Sequence, residues 1–110
     1  MSKLKKGNIF SNLPDSRKKE VFKSLFKSKN LKIERIVSNG QATTEGIWLK
    51  EKTAEWVILL KGKAKLLFKN SKNTFILKPG DYIYIPRYTF HRVTWTNPKQ
   101  KAVWLAIHTV

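Results

Sequence analysis

The pattern of hydrophobic and polar residues changes near residue 30. Before that point, four apolar residues recur at helical spacing: Val21, Phe22, Leu25 and Phe26. This spacing would gather them into one stripe on a helix, with lysines on the opposite face. Pro14 and Asp15 suit the first turn, where proline fits and a carboxylate complements the helix dipole. The pattern predicts a polar arm and a short amphipathic helix within residues 1–30.

After residue 30, short runs rich in β-branched and aromatic residues alternate with turn signals. Turn residues such as Asn39-Gly40 and Pro79-Gly80 separate these runs. The pattern predicts strands near residues 31–38, 45–50, 54–61, 63–69, 73–78, 81–86, 91–96 and 101–109. Strands in this number without helices between them are typical of a sandwich or barrel. Because 110 residues allow one domain, residues 31–110 are expected to form one β-barrel joined to the arm and helix.

One predicted strand is apolar on both of its faces. Val57 and Leu59 share one face with Glu55, while Trp56 and Ile58 share the other. A barrel interior can cover only the first of these faces, and the second needs a cover of its own. The N-terminal helix or a second subunit would supply it, and the sequence therefore predicts a homodimer.

The chain is strongly basic, with 23 Lys or Arg against 7 Asp or Glu and a net charge of +16. Such a field attracts anionic partners, nucleic acid among them. However, 19 of the 23 cations are lysines spread along the chain, whereas base reading and bidentate phosphate binding favour arginine. A solvated lysine-rich surface is therefore the favoured interpretation, and nucleic-acid binding is the alternative.

Composition also excludes several classes of protein. The absence of cysteine excludes disulfide scaffolds, cysteine-ligated zinc and thiol nucleophiles. The longest wholly apolar run, residues 56–60, is far shorter than a membrane span. The basic N-terminus is not followed by the apolar segment of a secretory signal. The sequence therefore predicts a cytoplasmic protein without a membrane partner.

Residues 80–95 resemble the second sequence motif of the cupin superfamily. A glycine, a proline and a histidine stand at the motif's spacing: Gly80, Pro86 and His91. The motif's inner glycine is replaced by Tyr88, and its asparagine is replaced by Trp95. Residues 55–62, which begin with a glutamate and end with a glycine, resemble the end of the first cupin motif.

The resemblance extends to a group of small, single-domain bacterial cupins. It implies an all-β fold, the double-stranded β-helix or jelly-roll barrel of cupins, here with the short N-terminal helix added. In that fold the faces that carry Glu55 and His91 point into the barrel. A carboxylate and an imidazole would then meet in an apolar cavity.

Cupin metal sites usually combine two histidines and a glutamate of the first motif with one histidine of the second. Here the two first-motif histidines are missing, and their places fall on Leu49 and Glu51. The resemblance leaves Glu51, Glu55 and His91 as candidate ligands for one divalent iron, manganese, nickel or zinc ion. The alternative is a metal-free barrel in which Glu55 and His91 form a buried hydrogen-bonded pair.

Glu55 and His91 are also the candidate catalytic residues, because a carboxylate and an imidazole can perform general acid–base chemistry. Four further residues are candidates for a substrate pocket: Trp48, Arg87, Tyr88 and Trp95. His108 is interpreted as a surface or end-of-strand residue.

These residues predict a cupin that binds a small molecule inside its barrel. One form of this prediction is a metal-dependent isomerase, lyase or dioxygenase. The alternative is a metal-free basic module that binds nucleic acid or another anionic partner. The sequence alone leaves open whether the protein is an enzyme.

Overall fold

The structure, a computed structural model, describes residues 4–71 and 73–109. The strands are β1 (Val21–Lys27), β2 (Leu31–Ser38), β3 (Ala54–Lys61), β4 (Ala64–Phe68), β5 (Thr74–Leu77), β6 (Tyr82–Ile85), β7 (His91–Thr96) and β8 (Ala102–Thr109). All strand pairs are antiparallel. A five-stranded sheet has the order β1-β2-β8-β3-β6, and a three-stranded sheet has the order β5-β4-β7. This is the double-sheet barrel that the sequence predicts.

The apolar core fills one end of the barrel, which is called the closed end below. Its buried residues come from both sheets and include Leu59, Ala64, Leu77, Ala102 and Trp104. The turn from β3 to β4 closes this end at Gly62, whose φ is +94°. A Cβ at that position would lie 2.8 Å from the Cα of Ala102, so only glycine fits there.

The predicted amphipathic helix is wrong. Residues 21–27 form the edge strand β1, and the described residues contain no helix. The register of β1 against β2 shifts between Ser24 and Phe26, which leaves Leu25 as an extra residue. A strand with a bulge interrupts strict alternation, and its apolar residues then imitate helical spacing. Strand β2 also offers backbone partners to every residue of β1 except Leu25, and this pairing outweighs a weak local preference for helix.

The predicted strand at residues 45–50 is also wrong. Its backbone makes one isolated bridge, in which Leu49 pairs with His91 of β7. Gly46, with a φ of +84°, lies in a turn that prevents continuous pairing. The remaining seven predicted strands correspond to β2–β8.

Residues 9–16 form an irregular arm that is attached to the larger sheet through its carbonyl groups. The buried Arg35 guanidinium donates Nη1 hydrogens to the carbonyls of Ile9 at 3.1 Å and Ser11 at 2.9 Å. Lys101 Nζ donates to the carbonyl of Pro14 at 2.8 Å. Within the described ranges there is no helix of the length and apolarity that membrane crossing requires.

Candidate functional site

Three neighbouring strands of the larger sheet carry inward-facing residues that change from apolar to titratable along the barrel. The register aligns these residues in tiers across β2, β8 and β3. From the closed end outward, the tiers are Ile36, Trp104 and Leu59; then Glu34, Ala106 and Val57; then Lys32, His108 and Glu55. The outermost tier lies at the opposite end of the barrel, which is called the open end below.

A cavity of about 280 Å³ lies between the two sheets. Its titratable lining residues are Glu20, Glu34, Glu51, Glu55, His91 and His108. Four of the seven acidic residues of the chain and both of its histidines therefore surround one cavity. Its volume lies near the lower end of the range for small-molecule sites, about 300–1,000 Å³.

Enclosure in this cavity changes the acidity of Glu55. Burial raises its pKa above the ordinary value, because the protein removes water that would stabilise the charged form. His108 and His91 partly oppose the effect through favourable electrostatics, whereas Glu51 and Glu34 add to it. A raised pKa makes the ionised carboxylate a stronger base. It also increases the fraction of the carboxyl group that is protonated, and so able to donate a proton, near neutral pH.

The orientation of His91 is fixed by backbone groups. The residue is buried, and its Nδ1 lies 2.9 Å from the carbonyl oxygen of Thr89. Because a carbonyl only accepts, Nδ1 carries the hydrogen, and Nε2 is the nitrogen left to exchange a proton. Two backbone hydrogen bonds with Leu49, of 2.7 and 3.0 Å, hold His91 against residues 43–50.

His108 is a cavity residue that the sequence interpretation missed. It stands directly opposite Glu55 across the β3–β8 pair. Its Nε2 lies 2.9 Å from Oε1 of the buried Glu34, and Oε2 of Glu34 lies 3.2 Å from Nζ of Lys32. Alternation along residues 104–108 could have shown that His108 faces inward. Only the strand register brings it beside Glu55 and Glu34.

The structure places Glu51, Glu55 and His91 around the same cavity, as the resemblance implies. Trp95 is not among the lining residues. In the β4–β7 pair Lys65 faces Trp95 and Leu66 faces Val93, so Thr94 is an extra residue of β7. This bulge reverses the alternation after Val93, and the Trp95 ring lies 5.4 Å from the Nζ of Lys65.

The other three predicted pocket residues also lie outside the cavity lining. Trp48 stacks beneath the guanidinium of Arg92, with 5.9 Å between that group and the ring centroid. Tyr88 is exposed with a φ of +60°, and its backbone N–H donates to the carbonyl of Glu51 at 2.8 Å. Arg87, the neighbour of Tyr88, is exposed as well.

The donor groups do not fit the usual cupin metal set. In the described part of the chain, no three His, Asp or Glu side chains are grouped closely enough to hold a metal ion. Leu49, at the place of one missing histidine, presents an apolar side chain to the cavity. The Nε2 of His108 already pairs with Glu34. The metal role of Glu51, Glu55 and His91 stays a prediction from the resemblance.

Comparisons with known proteins agree with this architecture. The family model of the cupin domain matches residues 37–108. A crystal structure from Ralstonia eutropha JMP134 has 39% sequence identity and a TM-score of 0.93, covering 96% of this chain and 98% of that one. That protein carries the provisional name mannose-6-phosphate isomerase. The chain described here belongs to the cupin family.

More distant structures share the fold. The TT1209 protein of Thermus thermophilus has a TM-score of 0.77 at 16% identity, covering 96% of this chain and 97% of that one. A cupin superfamily protein of Desulfitobacterium hafniense DCB-2 has a TM-score of 0.72 at 15% identity, with coverages of 89% and 84%. No protein with a curated function matches the sequence.

Proposed function

We propose that this cupin is an acid–base enzyme of the isomerase type that binds a small hydroxylated molecule in its barrel cavity. The observation that carries the proposal is the meeting of Glu55, His91 and His108 on the wall of one cavity. The isomerase name given to the Ralstonia eutropha relative supports the same reaction class. The proposed steps use only side chains, because the described residues hold no group of three His, Asp or Glu side chains placed closely enough to bind a metal ion.

The reaction class follows from what these groups can do. In an aldose–ketose isomerisation, a base removes the proton from the carbon beside the carbonyl, and the C–H electron pair forms the enediol double bond. The carbonyl oxygen takes a proton from an acid. The proton held by the base then returns to the former carbonyl carbon while the neighbouring hydroxyl gives up its own, so nothing is consumed. Glu55 suits the role of base, and His91 or His108 suits proton exchange at oxygen.

The first prediction concerns Glu55→Gln, which keeps the shape of the side chain and removes the proton acceptor. We expect turnover to fall by about 10²–10⁴-fold. The assay follows deuterium incorporation from D₂O into mannose 6-phosphate and a panel of related aldose and ketose phosphates, by proton NMR. Activity should survive treatment with a chelator.

Glu45→Gln is the matched control, because Glu45 is exposed and lies outside the cavity lining. This variant should keep full activity. The proposal fails if the wild-type protein exchanges no proton in any sugar of the panel, or if Glu55→Gln remains as active as Glu45→Gln.

We further propose that a second copy of the chain covers the outer face of β3 and β6. The predicted helix that would have covered it does not form. The arm is attached at Arg35, Gln41 and Lys101 instead. Tyr82 is 65% exposed, and its ring packs 5.4 Å from that of Trp56. Exposed aromatic groups of this kind are typical of the core of a protein interface.

The second prediction is that Tyr82→Lys makes the protein monomeric in analytical ultracentrifugation. Ile76→Lys, which adds the same charge to an exposed apolar residue of β5 in the other sheet, should remain dimeric. A monomeric wild-type protein would contradict the homodimer, and so would dissociation by both variants.

A further inference from the structure

We infer that the site takes a phosphorylated sugar, with the phosphate held by lysines at the mouth of the barrel and the carbonyl and hydroxyl groups directed inward. This inference rests on the proposed function, since it names the substrate class of the same site. It is carried by a second cavity next to the first.

The second cavity, called the vestibule below, has a volume of about 440 Å³ and lies at the turn between β1 and β2. It shares four lining residues with the inner cavity: Phe22, Glu34, Glu51 and His108. His108, one of the proposed acid–base groups, borders both spaces, so a molecule that occupies the vestibule lies beside it, whereas Glu55 and His91 line only the inner cavity.

The lining of the vestibule differs from that of the inner cavity in its charge. Lys27, Lys29 and Lys32 line the vestibule and do not line the inner cavity. Lys32 pairs with Glu34, whereas Lys27 and Lys29 form no ion pair with any described carboxylate. The turn between them also supplies Ser28 and Asn30, whose side chains can donate hydrogen bonds.

This arrangement selects the orientation of a ligand. The inner cavity is lined by four glutamates and by no lysine or arginine, whereas the vestibule is lined by two of those glutamates and three lysines, so like charges would repel a phosphate dianion more strongly in the inner cavity. At the vestibule the ammonium groups of Lys27 and Lys29 would attract it instead. Glutamate and histidine side chains inside are suitable partners for hydroxyl groups, because carboxylates accept the hydrogen bonds that hydroxyls donate.

The third prediction uses inorganic phosphate as the probe, in an NMR titration of ¹⁵N-labelled protein at constant ionic strength. We expect the largest shift changes in residues 27–32. A Lys27→Ala/Lys29→Ala double variant should bind phosphate about tenfold more weakly, because two charged hydrogen-bond donors are lost. Lys61→Ala/Lys63→Ala removes the same charge at the closed end, outside the vestibule, and should bind as the wild type does.

The inference is overturned if both double variants weaken phosphate binding equally, since the whole basic surface would then be responsible. It is also overturned if the Lys27/Lys29 variant binds normally. Glu55→Gln should keep phosphate binding and lose turnover, which separates the two proposals. Binding at residues 27–32 without any isomerase activity would refute only the proposed reaction. Isomerase activity with equal KM values for mannose and mannose 6-phosphate would refute only the vestibule.

Discussion

The two ends of the barrel are built from the same strands but have opposite chemistry. At the closed end most inward residues are apolar and none is charged, and Leu59 and Ala64 have no exposed surface. At the open end the same rows finish in Lys32, His108 and Glu55. Each of β2, β8 and β3 therefore contributes to both a packed core and a polar cavity.

This difference separates the source of stability from the source of chemistry. Burying an apolar side chain stabilises the fold in proportion to the area removed from water. Burying Glu55 opposes folding, as its raised pKa shows, because the charged form loses hydration. The packed closed end stabilises the same strands that carry the titratable, energetically unfavourable groups of the open end.

The fourth prediction applies one substitution at both ends of the barrel. Leu59→Ala at the closed end should lower the free energy of unfolding by about 2–5 kcal/mol, because it leaves a cavity in a fully packed core. Leu49→Ala at the open end should cost less than about 1 kcal/mol, because Leu49 is 38% exposed and already borders open space.

Denaturant titration with both variants tests this contrast at a pH where the wild type unfolds reversibly. If Leu59→Ala and Leu49→Ala lower the free energy of unfolding equally, the open end is as tightly packed as the closed end. The division between the two ends would then be wrong.

The strand pattern was predictable from the sequence because most strands keep strict alternation and end at clear turn residues. The failures lie where alternation is interrupted. The extra residue Leu25 gives the apolar residues of β1 a spacing like that of a helix. The extra residue Thr94 in β7 turns Trp95 to the outside of the barrel. A bulge depends on the partner strand, so hydrophobic periodicity in one strand does not reveal it.

The candidate site was only partly predictable for a related reason. Glu55 and His91 were recognisable because each occupies a fixed position in a sequence motif. His108 and Glu34 belong to no motif, and they meet because β2 and β8 pair in one particular register. The vestibule likewise depends on the β1–β2 turn, which the predicted helix would have replaced.

The fifth prediction, with the smallest expected effect, tests the cost of placing Glu55 at the open end. Its pKa is raised above the ordinary value of 4.5, so the folded protein favours the neutral carboxyl more than the unfolded chain does. The stabilisation of the folded protein that depends on a neutral Glu55 is fully present below pH 4.5. It is lost as the pH rises through the folded-state pKa of Glu55. Glutamine resembles the neutral acid at every pH and avoids this loss.

Glu55→Gln should therefore match the wild type near pH 4 and exceed it in thermal stability near pH 8. For a domain of this size, each 1 kcal/mol corresponds to a rise in Tm of roughly 4–8 °C. Calorimetry across this pH range measures the difference, and Glu45→Gln, which changes an exposed carboxylate, should show none. If the Tm difference between Glu55→Gln and the wild type does not grow with pH, then burial at the open end does not penalise the Glu55 carboxylate. The open end would then be as well hydrated as the protein surface, and Glu55 would lack the raised basicity that the proposed isomerisation requires.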